Sequence, residues 1–314
     1  MLKQKHSPEN RNISKLTLGT VQLGMPYGIH NRSGMPSKEK SFELLQQAWE
    51  GGVVSYDTAA AYGQSETILG SFFQNKHPPL ITTKIHLHPE PGASRRDIEQ
   101  DMREKIKSSL NRLQMTTVPI LMLHNTDAMD RFGDSITASF LALKRDGVIG
   151  KAGISVSFNT PEEYRRLRPY LQDETYEAIQ IPMNVLDHRP LNNGCLGKLK
   201  QAGKDVFVRS IFLQGLIYMK EEELPPKLQI AKEPLSKLRQ LSVKYDIPLA
   251  QMAVSFIRDL AGVSSLVIGA ETVEQVRENL ALIEGMPIPQ DLREEIVQTF
   301  REVPEIVITP SLWK

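Results

Sequence analysis

Residues 80–125 read LITTKIHLHPEPGASRRDIEQDMREKIKSSLNRLQMTTVPILMLHN. Two short apolar runs, Leu80–Ile85 and Val118–Leu123, bracket one long amphipathic stretch. Ser94 opens that stretch where a helix wants an oxygen to cap its free N–H groups. Strand, helix, strand at this spacing implies parallel strands joined by a helical crossover. Each strand also ends on a polar residue: Lys84 closes the first, and His124 follows the second.

Working outward, the same alternation fills the chain. Further candidate strands are Leu16–Val21, Val53–Asp57, Ala152–Val156, Ala178–Ile181, Asp205–Arg209 and Ser265–Ile268. Helix starts are legible between them. Ser37 opens SKEKSFELLQQAWEGG, which ends in glycines. Thr160-Pro161-Glu162-Glu163 offers an N-cap, a proline in the first turn and a capping-box Glu, and Thr272 to Gln275 repeats that spacing. Eight strand–helix units favour a closed (β/α)8 TIM barrel. A doubly wound sheet would need a phosphate loop, and neither G-x-G-x-x-G nor G-x-x-x-x-G-K-[ST] occurs. No composition shift marks a boundary, so residues 1–314 read as one barrel domain. Two features exceed the minimal barrel: the connection Leu216–Glu233 and the tail after Ile288.

Composition narrows the function. The 314 residues carry 38 basic and 37 acidic side chains, with no basic stripe for nucleic acid. No apolar run approaches a membrane span. The first twelve residues are polar, unlike a signal peptide. A single cysteine, Cys195, forbids an intrachain disulfide and fits a reducing, cytoplasmic setting. Cys195 itself reads as a packing residue at a helix start.

In such a barrel the active site lies at the C-terminal ends of the strands. Asp57, Lys84 and His124 come to that mouth from three neighbouring strands, and Tyr62 follows Asp57 in YDTAAAYGQSE. A tyrosine is a poor acid near neutrality. A nearby ammonium favours the phenolate, so Lys84 is expected to lower the Tyr62 phenol, with Asp57 keeping the lysine charged. His124 would donate to an oxygen that gains charge. The set describes carbonyl reduction with Tyr62 as proton donor. The hydride must come from a cofactor, since the chain has no redox group. The small residues Ala59–Ala61 and Gly63 would keep the loop thin enough for ligands to reach Tyr62.

The strings DTAAAYGQSE, TTK and LHN, in that order on strands two to four, resemble the aldo-keto reductase family over most of the chain, from LTLGTVQLG to ETVEQVRENL. The resemblance implies a tetrad of Asp57, Tyr62, Lys84 and His124. It implies NADP(H) across the barrel mouth, with NAD(H) the other candidate, and a small-molecule carbonyl substrate. Gly19 and Thr20 would face the cofactor. Ser155 and Gln180 would hold the carboxamide, although Val156 replaces the usual Asn. Arg209 stands where many relatives have a stacking aromatic, and its charge would disfavour the oxidised ring. Ser210, Leu213 and Gly215 would line the pyrophosphate. At the adenosine end, Gly269, Glu271, Thr272, Gln275, Glu278 and Asn279 match the last phosphate loop and its helix. Positions 269, 271 and 275 carry no Lys or Arg for a 2′-phosphate, and Glu271 would repel one.

Leu23, Tyr27, His86, Asn125 and Trp313 are expected to line the substrate pocket, the last from a C-terminal segment over the mouth. The polarity of Tyr27, His86, Asn125 and Arg209 suits a hydroxylated or sugar-like carbonyl compound. His86-Leu87-His88 could mark a metal site, but strands five and six carry no His to complete it, so no metal is expected. Met115, Met122 and Met183 read as core or pocket wall, and the run Lys220–Glu223 as a solvated face. Other functions stay open: a cofactor-binding regulatory subunit with little turnover, a metal-dependent hydrolase, or an NAD-linked sugar or alcohol dehydrogenase working oxidatively. Oligomeric state is not legible.

Overall fold

The structure is a computed structural model that describes residues 13–29, 31 and 34–313. The polar stretch 1–12 lies outside the described residues. Eight parallel strands close into a barrel in sequence order. They are β1 Leu16–Gly19, β2 Ser55–Asp57, β3 Leu80–Ile85, β4 Val118–Leu123, β5 Ile149–Ser155, β6 Tyr176–Pro182, β7 Asp205–Arg209 and β8 Ser265–Gly269. The expected TIM barrel is what the chain forms. The third, fourth and seventh strands keep the expected limits to the residue. β1 is shorter than expected, because Val21 opens a helical turn, Val21–Gly24, instead of continuing the strand.

Strand periodicity positions the site. Side chains alternate between the two faces of a strand. Leu80, Ile120, Met122, Ala178 and Phe207 form a small cluster of their own inside the barrel, separate from the main core between strands and helices. Two residues further along each of those strands, on the same inner face, come Thr82, Met122, His124, Gln180 and Arg209. Asp57, Lys84 and Ser155 share this parity. The polar residues that end the strands are therefore stacked above an apolar floor. Beside it, with Ser55 in register with Leu80 and Ser265 with Phe207, Thr17, Ser55 and Ser265 join hydroxyls at 2.7–2.8 Å.

The helices follow their sequence signals. Ser37 caps Lys38–Glu50 by accepting from the Lys40 N–H. Ser94 and Asp97 form a reciprocal capping box on Arg95–Leu113. Thr160 caps Pro161–Gln172. Glu163 departs from the expected box: its carboxylate accepts from the N–H groups of Ser157, Phe158 and Asn159 and from the Thr126 hydroxyl. It holds the whole loop after β5 rather than one cap. Cys195 begins the helix Cys195–Gln201. Burial pushes its thiol up to about 11, so it behaves as a packing residue. Met122 and Met183 are fully buried and Met115 packs on the core.

The long connection after β7 winds into 3-10 turns, then two helices, Lys232–Tyr245 and Leu249–Arg258, before β8. Glu221–Glu223 is one exposed 3-10 turn of it. The tail runs through the helix Gln290–Thr299 to a last turn, Pro310–Trp313. No helix among the described residues is long and apolar enough to cross a membrane.

Candidate active site

Lys84 and Asp57 are the centre of the mouth. The Lys84 ammonium lies 2.7 Å from the Asp57 carboxylate and donates to the Thr58 carbonyl at 2.9 Å. Both side chains are buried. Burial draws Lys84 below its ordinary pKa, and the Asp57 charge opposes that loss. From the far wall, Gln180 on β6 donates its amide to Asp57 at 2.7 Å, across the lumen. Ser155 on β5 lies beside it, Oγ to Oε1 at 3.4 Å. Gln180, expected only as a cofactor ligand, therefore also fixes Asp57.

The loop after β2 brings Tyr62 to this pair. The Ala60 N–H donates to the Lys84 carbonyl at 3.0 Å, which lays the loop onto β3. The Lys84 ammonium is 5.0 Å from the centre of the Tyr62 ring. The His124 ring meets Tyr62 edge-on at 5.8 Å. The four expected catalytic residues are thus brought together.

The electrostatics correct one expectation. Tyr62 is raised, not lowered, from its ordinary pKa. Burial is the main cause and the Asp57 charge adds to it, while Arg209 pulls the other way. The Asp57 carboxylate beside Lys84 offsets, without cancelling, the pull of that ammonium on the phenol. Burial pushes His124 down to about 2, helped by the charges of Lys84, His86 and Arg209. His124 is therefore a neutral imidazole, with one donor and one acceptor nitrogen. Its buried Nδ1 has no hydrogen-bond partner among the described residues.

The string around Tyr62 has a structural half as well. Ser65 joins hydroxyls with Thr20 at 2.7 Å and with Thr58 at 2.9 Å. Thr20 also donates to the Asp57 carbonyl at 2.8 Å. Thr20 is thus fully buried and engaged in holding the β1 and β2 ends together. Gly63 has φ +52°, and a Cβ there would lie 2.2 Å from the Gly24 carbonyl. A Cβ on Gly24 would in turn strike the Tyr62 carbonyl at 1.8 Å. Gly63 is small because two loops interlock there.

The remaining expected residues divide. His86 is half-buried and lies against His124, ring centres 4.3 Å apart; His88 is exposed and stacks on His86 at 5.9 Å. Among the described residues no group of three or more His, Cys, Asp or Glu is arranged to hold a metal. Asn125 clamps the loop after β3, exchanging both hydrogen bonds with the Leu87 backbone at 2.8–2.9 Å. Tyr27 is partly exposed, and the charges of Arg209, Tyr62 and Lys84 all act on it, so it belongs to the mouth. Leu23 is buried in the core. The Trp313 indole donates to the Ile306 carbonyl within its own tail, at 2.6 Å.

A nicotinamide cofactor fits the residues around this centre. Gly19 and Gly269 end neighbouring strands in register and leave the β1–β8 rim without side chains. A Cβ on Gly269 would lie 2.4 Å from the Gln22 amide, whose buried Oε1 lacks a partner among the described residues. After β7, Ser210, Leu213, Gln214 and Gly215 have φ of +66°, +47°, +54° and +93°. Three of these are not glycine, and such strain is kept where surrounding structure or function demands it. Thr272 caps the helix Val273–Glu284, and Gln275 accepts from the Glu271 N–H at 2.7 Å. Asn279 donates to the Gly269 carbonyl at 3.3 Å, tying that helix to the end of β8. Glu278 lies close enough to raise the Tyr218 phenol. Gln22 carries no motif that sequence reading could find; only its unpaired oxygen marks it.

The comparisons agree with this architecture. The sequence matches the profile described as Aldo/keto reductase family over residues 15–299. It is 26% identical over 296 residues to the uncharacterized oxidoreductase YqkF of Bacillus subtilis, covering 89% of this chain and 90% of that one. The holo form of aldo-keto reductase AKR11C1 from Bacillus halodurans superposes with a TM-score of 0.71 at 25% identity, covering 91% of this chain and 92% of that one. The glycerol dehydrogenase AKR11B4 from Gluconobacter oxydans shares the fold, with a TM-score of 0.70 at 20% identity and 93% of each chain covered. With a family profile over nearly the whole barrel and a closed eight-stranded fold to match, this chain belongs to the aldo/keto reductase family.

Proposed function

We propose that the protein reduces a small aldehyde or ketone to an alcohol, with Tyr62 as the proton donor. The observation that carries this reading is Tyr62 held between the Lys84–Asp57 pair and a neutral His124 at the inner rim of the barrel. The bound nicotinamide cofactor supplies the hydride. Tyr62 supplies the proton to the developing alkoxide. Its raised phenol keeps that proton in place at neutral pH, and an alkoxide is the stronger base, so transfer still runs downhill. His124 directs one imidazole N–H at the same oxygen. Lys84 stabilises the phenolate left behind, and Asp57, braced by Gln180, holds Lys84 in place.

On this reading Ser155 and Gln180 would hold the carboxamide, and the strained loop Ser210–Gly215 the pyrophosphate. NADP(H) is the cofactor we favour on family resemblance. NAD(H) is the second reading, favoured by the adenosine-end loop: Arg277 there is directed to Gln47 at 2.9 Å, and Gln275 is bonded to the Glu271 backbone. The substrate is a hydroxylated or sugar-like carbonyl compound, because Tyr27 and His86 offer polar groups at the mouth. We place the protein in the cytoplasm, in line with its single, packed cysteine.

The test is NADPH and NADH consumption with a reactive aromatic aldehyde, wild type beside Tyr62→Phe. Loss of the hydroxyl should slow turnover roughly 10²–10⁴-fold while leaving cofactor binding nearly intact. A Tyr62→Phe enzyme as fast as wild type would sink the assignment.

A further inference from the structure

Two cations reach the mouth from inward-facing strand positions, Lys84 and Arg209. Lys84 is paired with the Asp57 carboxylate. Arg209 is not paired in this way. Its guanidinium donates to the carbonyls of Val156 at 3.0 Å and Ser157 at 3.3 Å, and to the Ser210 hydroxyl at 3.2 Å. Among the described residues it makes no ion pair with a carboxylate. The three bonds fix its position but leave its charge uncompensated. That charge is felt by Tyr62, Tyr27, Lys84 and His124, each of which it draws toward lower pKa.

The role of this unpaired charge rests on the reading of the site as a nicotinamide-dependent carbonyl reductase. On that reading, the hydride-donating ring must come within reach of a carbonyl carbon whose oxygen meets Tyr62. The reduced ring is neutral and the oxidised ring carries a positive charge. A fixed cation on the inner wall of this mouth therefore meets one form with repulsion and the other without it. We propose that Arg209 discriminates between the redox forms of the cofactor, so that the oxidised form is held more weakly than the reduced form and leaves more readily after turnover.

Equilibrium binding in solution tests this without turnover. Dissociation constants for the oxidised and reduced cofactor, phosphorylated and not, are measured by titration of intrinsic fluorescence and by calorimetry. Arg209→Gln should move the ratio of oxidised to reduced constants toward parity by at least roughly fivefold, the effect of one unit charge about 4 Å away in a water-like dielectric, and by up to roughly a thousandfold at an effective dielectric of about 20. Arg209→Lys, which keeps the charge, should retain most of the wild-type ratio. Arg209→Met serves as a second neutral variant if the Gln protein does not fold. A purely structural arginine, needed only to tie down the loop after β5, would weaken both forms by the same factor. An unchanged ratio in a neutral variant that still binds both forms overturns the proposal and leaves the reductase reading standing. Wild-type protein that binds neither form removes the reductase reading itself, and this proposal with it.

Discussion

Thr83 and Lys84 are neighbours on β3, yet they face different chemistry. Lys84 points into the lumen and pairs with Asp57, with side chains 0% and 6% exposed. Thr83 points outward and donates to Glu66 at 2.6 Å, and Glu66 in turn pairs with Arg112 at 2.6 Å. Glu66 is buried, but the Arg112 side chain is one-third open to water. One strand therefore carries two carboxylate pairs on opposite faces. The inner pair sits where water is excluded and a ligand can arrive. The outer pair joins the helices Ser65–Phe73 and Arg95–Leu113 to the barrel wall. The difference teaches that the last residue of the string around Tyr62, Glu66, is structural, although it follows Tyr62 by four positions.

The largest expected effect comes from the inner pair. Lys84→Met leaves the Asp57 carboxylate buried without its cation, which should cost about 3–5 kcal/mol in urea unfolding at neutral pH. It should also abolish measurable reduction in whatever protein remains folded. Full activity in that variant would erase the distinction between the two faces. The outer pair should respond differently. Arg112→Ala should cost about 1–3 kcal/mol, because Glu66 keeps the Thr83 hydroxyl while losing its cation. Turnover per folded molecule should stay within about twofold. A much larger fall in turnover at unchanged stability would show that the outer face also serves the chemistry.

His124 sharpens the comparison through pH, with an effect that is absent near neutrality and grows only as pH falls. Its folded-state pKa is pushed down to about 2 from an ordinary 6.5. The unfolded chain therefore binds a proton below pH 6.5 that the folded protein refuses. Stability should fall as pH drops below 6.5, by up to about 1.4 kcal/mol per pH unit from this group. His124→Gln should remove that slope between about pH 4 and 6.5. The His124 ring resonances of the wild type should stay fixed over the same interval; titration near 6.5 would place the ring in water rather than in the lumen.

Much of this was legible in one dimension. Apolar runs ending on Asp57, Lys84 and His124 announced strands whose last inward residue is polar, since burial on both faces leaves polar groups only at the open end. Helix starts at Ser37, Ser94, Thr160 and Thr272 were readable because a cap needs only a few adjacent residues. The hydrogen bond from Gln180 to Asp57 was not readable, since 123 residues separate groups that meet across the lumen. The interlock of Gly24 and Gly63 was hidden for the same reason. The Tyr62 shift was misjudged because sequence shows which charges are near but not how much water is removed. Tyr27, Asn125 and Trp313 lie on loops or the tail, where pattern says little about partners.

The sequence by itself determined the strand–helix alternation, the barrel, and which polar types reach its mouth, because periodicity and capping are local properties of the chain. Only the tertiary structure decided which of those groups are paired, which are left charged and which are dry. Burial and charge compensation depend on distances between strands far apart in sequence. Thus Lys84 is paired with a carboxylate, Arg209 is not, and the Tyr62 proton is held tightly rather than loosened.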